Sequence, residues 1–355
     1  MLSLSQIDVL VPNFKRRLSG VTATVVRLVP LQAQSIRIAA AAPALPANIP
    51  QVPLWALLTM SRRGPAGWRV WHARRNVEML AGLALAGLLR KRLRFVFTSA
   101  SQRRHSWLTR ALIRKMDAVV STSDKTARYL ERPSQVIHHG IDLVAFSPAD
   151  DRAGLRTRLG LPGGGPLIGC YGRIRAQKGT DLFVQAAIAL CHRFPDLSAV
   201  MIGRALPKDA AFLASLRDQV RAAGLTDRIL FHDEVPVWDM PDWYRVLDVY
   251  VAPQRWEGFG LTPLEAMACG VPVVAADVGA FRDLVAEGQT GFVVPPGAAD
   301  LLEQATAALL SDPARLEAFR HAARAHMEQN FDIRQEAAAL IALYCQLLAP
   351  TFDQG

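Results

Sequence analysis

The 355-residue sequence has few cysteines, and their spacing is that of no metal cluster. Cys170, Cys191, Cys269 and Cys345 lie far apart, with no Cys-x-x-Cys pair among them. Scattered cysteines inside apolar segments more often serve as small core residues in a reducing compartment than as disulfides. The cysteine pattern therefore favours free thiols and gives no indication of a metal site.

Long apolar runs and a secretion signal are also missing. The longest uncharged apolar stretch without proline, near Ala81–Leu89, is too short to span a bilayer. The first residues, MLSLSQIDVLVPNF, lack the basic segment followed by an apolar one that marks a cleaved signal peptide. We therefore expect a cytoplasmic protein, or one that binds a membrane only at its surface.

Acidic residues are scarce in the first part of the chain. Residues 1–150 contain 22 Lys/Arg and 7 Asp/Glu, a net charge of +15, whereas the remainder carries −5. Such a basic half favours an anionic partner, which could be nucleic acid, an acidic lipid surface or a phosphorylated substrate. The alternative is a soluble basic face with no specific partner.

Alternating helical and strand patterns dominate what is present. Hydrophobic residues make up 51% and charged residues 20% of the chain, as in a folded globular protein. Alanine-rich stretches alternate with short Val/Ile-rich runs, which indicates α/β architecture. The first half has predicted helices at Asn76–Arg90 and Trp107–Lys115. Its predicted strands are Ile7–Val11, Ile36–Ala40, Arg69–His72, Phe95–Thr98, Ala118–Ser121 and Gln135–His138.

A second α/β series follows two turn-rich segments, 146–151 and 162–166. The sequence thus predicts a domain at 1–160, another at 161–332, and a C-terminal helix within 333–355. Both domains are expected to be Rossmann-like, doubly wound parallel sheets that face each other across an inter-domain cleft, where ligands bind in such folds. The predicted strands of the second domain are Leu167–Tyr171, Ala199–Ile202, Ile229–His232, Val249–Ala252 and Val273–Ala276.

The most informative segment is 257–270, EGFGLTPLEAMACG, which follows a predicted strand and opens a short helix. Its glycines let the backbone approach a ligand, and the helix start presents free amides to an anion. Glu257 in the loop and Glu265 in the first helical turn could then face one bound molecule. The alternative is a capping box of Thr262, Pro263 and Glu265, which leaves Glu257 and the Gly-Phe-Gly run unexplained.

This segment resembles the Glu-x7-Glu signature of retaining glycosyltransferases with the GT-B fold, specifically family 4. A second match, 172–179 (GRIRAQKG), directly follows the first strand of the second domain. Further matches are Gly203-Arg204, 271–279 and 287–293. Together they follow the family order through residues 165–300, which is far more specific than one glycine-rich motif.

The resemblance implies a nucleotide-sugar donor site in the second domain. Arg173 and Lys178 would bind the diphosphate, Glu257 the hexose hydroxyls and Glu265 the ribose, with Arg173, Lys178 and Glu257 acting in catalysis. The two cations and helix amides would stabilise the leaving group in place of a divalent ion. The chain has no Asp-x-Asp metal clamp, so we expect no metal and no cofactor. The alternative for Arg173 and Lys178 is two solvated loop charges. The remaining donor-binding candidates are Gly20, Phe259, Gly260, Leu261 and Thr262.

In this family the first domain binds the acceptor and closes a glycine-containing loop over the donor. Gly20 resembles that loop glycine, although Ser19 stands where a paired glycine is common. A histidine after the fourth or fifth strand often contacts the hexose. Here His105 either takes that role from a later position or is a surface residue at a helix start. The resemblance also implies that the C-terminal helix returns to the first domain.

Residues 71–76 (WHARRN), 97–105 and 136–142 resemble the lipopolysaccharide core mannosyltransferases. These transfer mannose from GDP-mannose to the Kdo-containing inner core. A carboxylated and phosphorylated glycolipid acceptor suits the basic half, and so does peripheral contact with the cytoplasmic face of the inner membrane. The alternative is packing or nonspecific attraction. The acceptor-binding candidates are Arg74, Arg75, Arg103, Arg104 and His105.

Other functions remain open at this stage. One is a family 4 enzyme that uses a UDP-sugar on another glycolipid or polysaccharide. A second is a nucleotide-sugar 2-epimerase, which shares the two-domain shape. A third is a sugar-binding protein without activity, although all four donor-site charges are present. A nucleic-acid-binding module is not expected, because aromatic residues are not interleaved with the basic cluster.

Overall fold

A computed structural model describes residues 4–14, 20–43 and 45–350 of the chain. These residues divide into two compact units. The N-terminal unit combines the described residues up to His139 with those from Ile333 onward, and the C-terminal unit comprises Gly140–Asp332.

The N-terminal unit is built on a sheet of seven parallel strands in the order β3-β2-β1-β4-β5-β6-β7. Val70 and Trp71, successive residues of one central strand, belong to different apolar clusters, so both faces of the sheet are covered. The strands are β1 (Val9–Pro12), β2 (Ile38–Ala41), β3 (Gln51–Val52), β4 (Arg69–Ala73), β5 (Leu93–Ser99), β6 (Ala118–Ser121) and β7 (Gln135–Val136). The helices between them are α1 (Gly20–Gln32), α2 (Ala56–Thr59), α3 (Asn76–Leu89), α4 (Trp107–Ile113) and α5 (Asp124–Ala127).

The C-terminal unit contains six parallel strands in the order β10-β9-β8-β11-β12-β13. Here too, alternate strand residues contribute to two clusters, as Val249 and Tyr250 do. The strands are β8 (Leu167–Tyr171), β9 (Ser198–Ile202), β10 (Ile229–His232), β11 (Val249–Ala252), β12 (Val273–Ala276) and β13 (Gly291–Val294). The helices are α6 (Arg152–Arg158), α7 (Thr180–Arg193), α8 (Ala210–Ala222), α9 (Met240–Arg245), α10 (Thr262–Ala268), α11 (Phe281–Leu284), α12 (Ala299–Leu310) and α13 (Pro313–Asn330).

The segment 140–160 belongs to the C-terminal unit, whereas the sequence analysis assigned it to the first domain. The Ile141 amide donates to the Phe331 carbonyl at 2.8 Å. On α6, the Arg156 guanidinium donates to the Val246 carbonyl at 2.8 Å and to the Asp248 carboxylate at 2.6 Å. These long-range contacts, rather than the turn-rich composition of 162–166, determine where the units divide.

The last helix, α14 (Ile333–Leu348), packs within the N-terminal unit. Leu340 and Leu347 join the apolar cluster that contains β1 and β4 residues. Tyr344 is fully buried, and its hydroxyl lies 2.6 Å from Nδ1 of His72 on β4. None of the helices in the described ranges has the length and apolar character needed to cross a membrane.

The prediction of two doubly wound parallel α/β sheets is confirmed. The sequence analysis missed β3 and β13, which have two and four residues. The predicted β1 begins two residues too early, at Ile7 instead of Val9, because Ile7 is apolar and fully buried although it precedes the strand. Short strands of this kind give too little periodicity to be located from sequence alone.

Candidate active site

The loops after β8 and β11 bring together two predicted donor-site residues that are 79 positions apart. The Lys178 ammonium forms a hydrogen-bonded ion pair with Oε2 of Glu257. Oε1 of Glu257 accepts from the Gly258 amide at 3.0 Å. Both side chains are about one-fifth exposed, so the pair is reachable from solvent. A cation and a hydrogen-bonding carboxylate thus lie side by side at the carboxyl edge of the parallel sheet, where ligands bind in such folds.

The glycines next to this pair are required by close backbone contacts. Gly260 has φ of +91°, and a Cβ there would lie 2.2 Å from the Phe281 ring. Gly179 has φ of +68°, and a Cβ there would lie 1.9 Å from the Pro253 carbonyl oxygen. The second contact joins the β8 and β11 loops, so Gly179 allows Lys178 to reach Glu257.

An arginine that the sequence analysis did not single out clamps the same two loops. The Arg255 guanidinium donates to both carboxylate oxygens of Asp181 at 2.7 Å, and to the Ala176 carbonyl at 2.6 Å. Burial alone would raise the pKa of Asp181, but the hydrogen bonds and charge of Arg255 hold it below its usual value. Asp181 is therefore ionised at neutral pH and fixes the loop that carries Glu257.

Glu265 does not form the capping box that was the alternative for this segment. Leu261, not Thr262, is the N-cap of α10, and it makes no side-chain capping hydrogen bond. The Tyr244 hydroxyl instead donates to Oε2 of Glu265 at 2.8 Å. The capping alternative fails because a buried tyrosine offers the Glu265 carboxylate a partner away from the helix start.

Arg173 follows β8 directly, after Gly172 with φ of +134°. Its guanidinium is exposed and pairs with no carboxylate in the part of the chain that the structure describes. A pocket of about 410 Å³ opens beside it, behind the ends of β9 and β10. Ile174, Gly203, Arg204, His232 and Asp233 are among its lining residues. The Gly203-Arg204 motif and the loop that follows β10 therefore border one cavity.

The N-terminal unit has its own polar pocket, of about 540 Å³, at the ends of β4 and β5. It brings together four of the five acceptor-binding candidates: Arg74, Arg103, Arg104 and His105. Nη1 of Arg74 is buried and has no hydrogen-bond partner among the described residues. Buried donors of this kind require an acceptor, so the pocket is suited to an anionic group.

His105 lies at the edge of this pocket, with Nε2 3.3 Å from the Ser99 hydroxyl. Burial and the nearby charge of Arg103 lower its pKa below the usual value. The imidazole is therefore neutral at neutral pH. The cap of α4 is Ser106, whose hydroxyl accepts from the Thr109 amide at 3.3 Å, so His105 has no capping role.

Two predicted residues of the N-terminal unit, Arg75 and Gly20, are not among those that line its polar pocket. Arg75 turns to Glu78, at 2.7 Å, and to Asn13, at 2.9 Å, so its guanidinium is held in an internal network away from the acceptor pocket. Gly20 is the first residue of α1, and residues 15–19 of the expected loop lie outside the described part of the chain. Its contact with the donor stays a prediction.

The sequence analysis also missed Tyr244, Thr98 and Asn76 as site residues. Thr98 and Asn76 line the N-terminal pocket, and Asn76 donates to the Thr109 hydroxyl at 2.7 Å. Thr98 is near the carboxyl end of β5 and Asn76 begins the helix that follows β4, positions that could have identified them. No local pattern marks Tyr244, which is buried in a cluster of tyrosines. Among the described residues, no group of three or more His, Cys, Asp or Glu side chains is arranged to hold a metal ion.

Comparison with known proteins identifies the family. Residues 151–326 match the model of the family described as glycosyl transferases group 1. The chain is 50% identical to the lipopolysaccharide core biosynthesis mannosyltransferase LpsB of Rhizobium meliloti (strain 1021), over 98% of this chain and 100% of LpsB. The chain is a group 1 glycosyltransferase.

Two other comparisons cover nearly all of this glycosyltransferase. It is 48% identical to the lipopolysaccharide core biosynthesis mannosyltransferase LpcC of Rhizobium leguminosarum bv. viciae, over 98% of this chain and 99% of LpcC. The crystal structure of Anabaena Alr3699/HepE in complex with UDP superposes with a TM-score of 0.83 at 20% identity, covering 96% of this chain and 100% of HepE. The latter likeness shows that the glycosyltransferase has the GT-B fold, as predicted.

Proposed function

We propose that this glycosyltransferase transfers mannose from GDP-mannose to a lipopolysaccharide core acceptor of the Kdo type, with retention of anomeric configuration and without a metal ion. The observation that supports this most strongly is the 50% and 48% identity, over nearly the full chain, to two lipopolysaccharide core mannosyltransferases. The similarity covers 98% of this chain and therefore extends over both units.

In this proposal, Arg173 and Lys178 bind the diphosphate of the donor. When the bond between C1 of mannose and the phosphate oxygen breaks, GDP leaves and negative charge grows on that oxygen. Arg173 is exposed and forms no ion pair with a described carboxylate, and Lys178 is already held at the site by Glu257. Preorganised cations stabilise such charge without reorganising during the reaction. They supply the stabilisation that a divalent ion would otherwise provide.

Glu257 accepts hydrogen bonds from the mannose hydroxyls, and Glu265 accepts them from the ribose diol. Tyr244 holds Oε2 of Glu265 at 2.8 Å and so orients the carboxylate. The acceptor hydroxyl attacks C1 on the face from which GDP departs, through an oxocarbenium-like state. Its proton passes to the departing phosphate oxygen, and the new C1–O bond retains the original configuration. We assign no protein nucleophile.

The acceptor is bound by the polar pocket of the N-terminal unit. Arg74, Arg103 and Arg104 line it, and none of the three forms an ion pair with a described carboxylate. Carboxylates of Kdo and phosphates of the lipid core are complementary to this set, since guanidinium groups bind both in bidentate geometry. His105 is neutral and offers a hydrogen bond to an acceptor hydroxyl.

The test is a transfer assay with purified enzyme, Kdo-containing lipid acceptor and either GDP-mannose, UDP-glucose, UDP-N-acetylglucosamine or ADP-glucose. We expect product only with GDP-mannose, and proton NMR of the product should show an α-linked mannose, as in the donor. Transfer from a UDP-sugar would be consistent with a glycosyltransferase but would refute GDP-mannose as the donor. Conversion of the donor alone, without acceptor, would instead indicate a 2-epimerase.

A further inference from the structure

An apolar groove lies on the N-terminal unit, apart from its polar pocket. The groove has a volume of about 630 Å³ and runs between α2 and α3. Its exposed side chains include Trp55, Leu58 and Leu88, which are 67%, 61% and 82% accessible. Contiguous exposed apolar surface of this kind marks an interaction site rather than the scattered hydrophobics of an ordinary surface. Its principal lining residues are Leu54, Trp55, Leu58, Leu85, Leu88 and Leu89.

The exposure follows from how α3 is built. Leu85 is buried against the unit, but Leu88 and Leu89 continue the apolar sequence past the part of the helix that the sheet covers. The helix then ends at Arg90 in a left-handed conformation, with φ of +51°. A strictly soluble helix would carry polar residues at these outer positions. Here the last turn is apolar and is followed at once by cations.

Cations cluster at the carboxyl ends of both helices that border the groove. The Arg92 amide donates to the Arg62 carbonyl at 2.8 Å, which places segment 61–63 beside segment 90–92. The Lys91 ammonium is bonded to the Met60 carbonyl at the end of α2. Exposed side chains in these two segments include Arg62, Arg63, Arg90 and Arg92.

Acidic groups that could neutralise this surface are absent from the surrounding sequence. Between residues 9 and 116 the chain contains 19 Lys/Arg and a single acidic residue, Glu78. Glu78 is fully buried and is bound to Arg75 at 2.7 Å. Segment 54–92, which forms most of the groove and its border, thus has no acidic residue apart from the buried Glu78, and its complement is an apolar layer edged with anions.

We infer that the α2–α3 groove docks the enzyme on an anionic phospholipid bilayer. Trp55, Leu58 and Leu88 enter the boundary between headgroups and acyl chains, while the flanking arginines bind lipid phosphates. Aromatic and leucine side chains partition into this boundary, and each basic residue near an anionic surface adds to binding. This surface differs from the polar pocket, so the inference stands whether or not that pocket binds the acceptor.

The test is co-sedimentation with vesicles of phosphatidylcholine alone or mixed with phosphatidylglycerol. We expect the wild-type enzyme to bind the anionic vesicles about tenfold or more tightly than the neutral ones, and less tightly at high salt. Leu58→Gln/Leu88→Gln should weaken binding about tenfold, since two exposed leucines no longer enter the bilayer. Arg62→Gln/Arg63→Gln should weaken binding to anionic vesicles only.

Val144→Gln is the matched control, because Val144 is 84% exposed on the C-terminal unit. It should bind as the wild type does. The leucine positions are exposed, so thermal unfolding of the double variant should match the wild type. Wild-type binding by the leucine variant would refute the inference, and so would equal affinity for neutral and anionic vesicles. If the wild-type enzyme is a dimer and the leucine variant is a monomer, the groove binds a second copy of the chain and the inference is refuted.

Discussion

Both units contain a doubly wound parallel sheet, but they differ in whether the charged side chains at its carboxyl edge form ion pairs. In the C-terminal unit, Lys178 is paired with Glu257 and Arg255 is clamped to Asp181 before any ligand arrives. In the N-terminal unit, Arg103 and Arg104 form no ion pair with a described carboxylate. The first edge is preorganised by its own counter-charges, and the second depends on a ligand to supply them.

This difference indicates two kinds of selectivity. A site with internal ion pairs holds its groups in fixed positions, which suits a reaction that needs charge stabilised in one geometry. A site with unpaired arginines attracts anions from a distance and tolerates variation in their spacing, at the cost of salt sensitivity. Catalysis is therefore expected to depend on the C-terminal edge and acceptor capture on the N-terminal edge.

The largest expected effect comes from removing a charge of the preorganised edge. Lys178→Ala and Glu265→Ala should each lower the transfer rate about a hundredfold or more, because the diphosphate or the ribose loses its partner. Steady-state kinetics with saturating acceptor would measure this. Lys208→Ala, at an exposed lysine of the same unit, is the control and should retain full activity. Near-wild-type rates in either folded variant would refute the donor-site assignment.

A second prediction concerns stability in the C-terminal unit, where Asp248 is bound by Arg152, Arg156 and Arg320. Asp248→Asn would leave these cations uncompensated and should lower the free energy of unfolding by about 3 kcal/mol. Burial alone would raise the pKa of Asp248, but the three guanidinium groups hold it below its usual value. The difference in unfolding free energy between wild type and Asp248→Asn should have its full size at neutral pH. It should decrease as the pH falls through the lowered pKa of Asp248, because the wild-type carboxylate is then protonated.

Urea unfolding at several pH values would measure the difference. Asp218→Asn, at an exposed i,i+3 pair with Arg221, is the control and should change stability little. A difference in unfolding free energy between wild type and Asp248→Asn that increased at acidic pH would contradict the stabilising role of the Asp248 carboxylate.

The unpaired edge should respond more weakly and in a different parameter. Arg103→Gln/Arg104→Gln is expected to raise the KM for an anionic acceptor about tenfold, with the donor KM unchanged, since only acceptor phosphates or carboxylates lose partners. The variant should also be less sensitive to salt than the wild type. Arg128→Gln, at an exposed arginine elsewhere in the unit, is the control. A change in the donor KM alone would indicate that the N-terminal edge binds the donor and would contradict its proposed role in acceptor binding.

The smallest expected effect is that of a chelator. Because Arg173 and Lys178 are proposed to replace a divalent ion at the diphosphate, EDTA should leave the transfer rate nearly unchanged. Activity measured before and after dialysis against EDTA would show this. Complete loss that manganese restores would contradict the metal-free proposal.

The loops of the candidate donor site could be predicted from the sequence because each follows a parallel strand, and such strands end at a common edge. Arg173, Lys178, Glu257 and Glu265 were singled out there, and their roles in donor binding stay predictions. The partners that hold these side chains could not be predicted. Tyr244 and Arg255 act through side-chain contacts with residues 21 and 74 positions away, and no local pattern encodes such pairing.

The differences between the sequence-based predictions and the structure have related physical causes. A Thr-Pro-x-Glu sequence favours a capping box, which was the alternative to ligand binding at this segment, but the Tyr244 hydroxyl donates to Glu265 instead. Arg75 was grouped with Arg74 as an acceptor ligand, but successive residues point to different sides, and Glu78 binds it. The domain boundary was read from glycines and prolines, whereas packing of α6 on the C-terminal unit determines it.

The position of α14 has a consequence for the order of folding during synthesis. The apolar cluster on one face of the N-terminal sheet includes Leu340, Tyr344 and Leu347. Helix α1 covers part of this face, but the part under α14 stays exposed on the ribosome until those residues emerge, although its strands were made first. The C-terminal unit is continuous in sequence and can complete its core earlier. The first unit to be translated is thus the last to be finished.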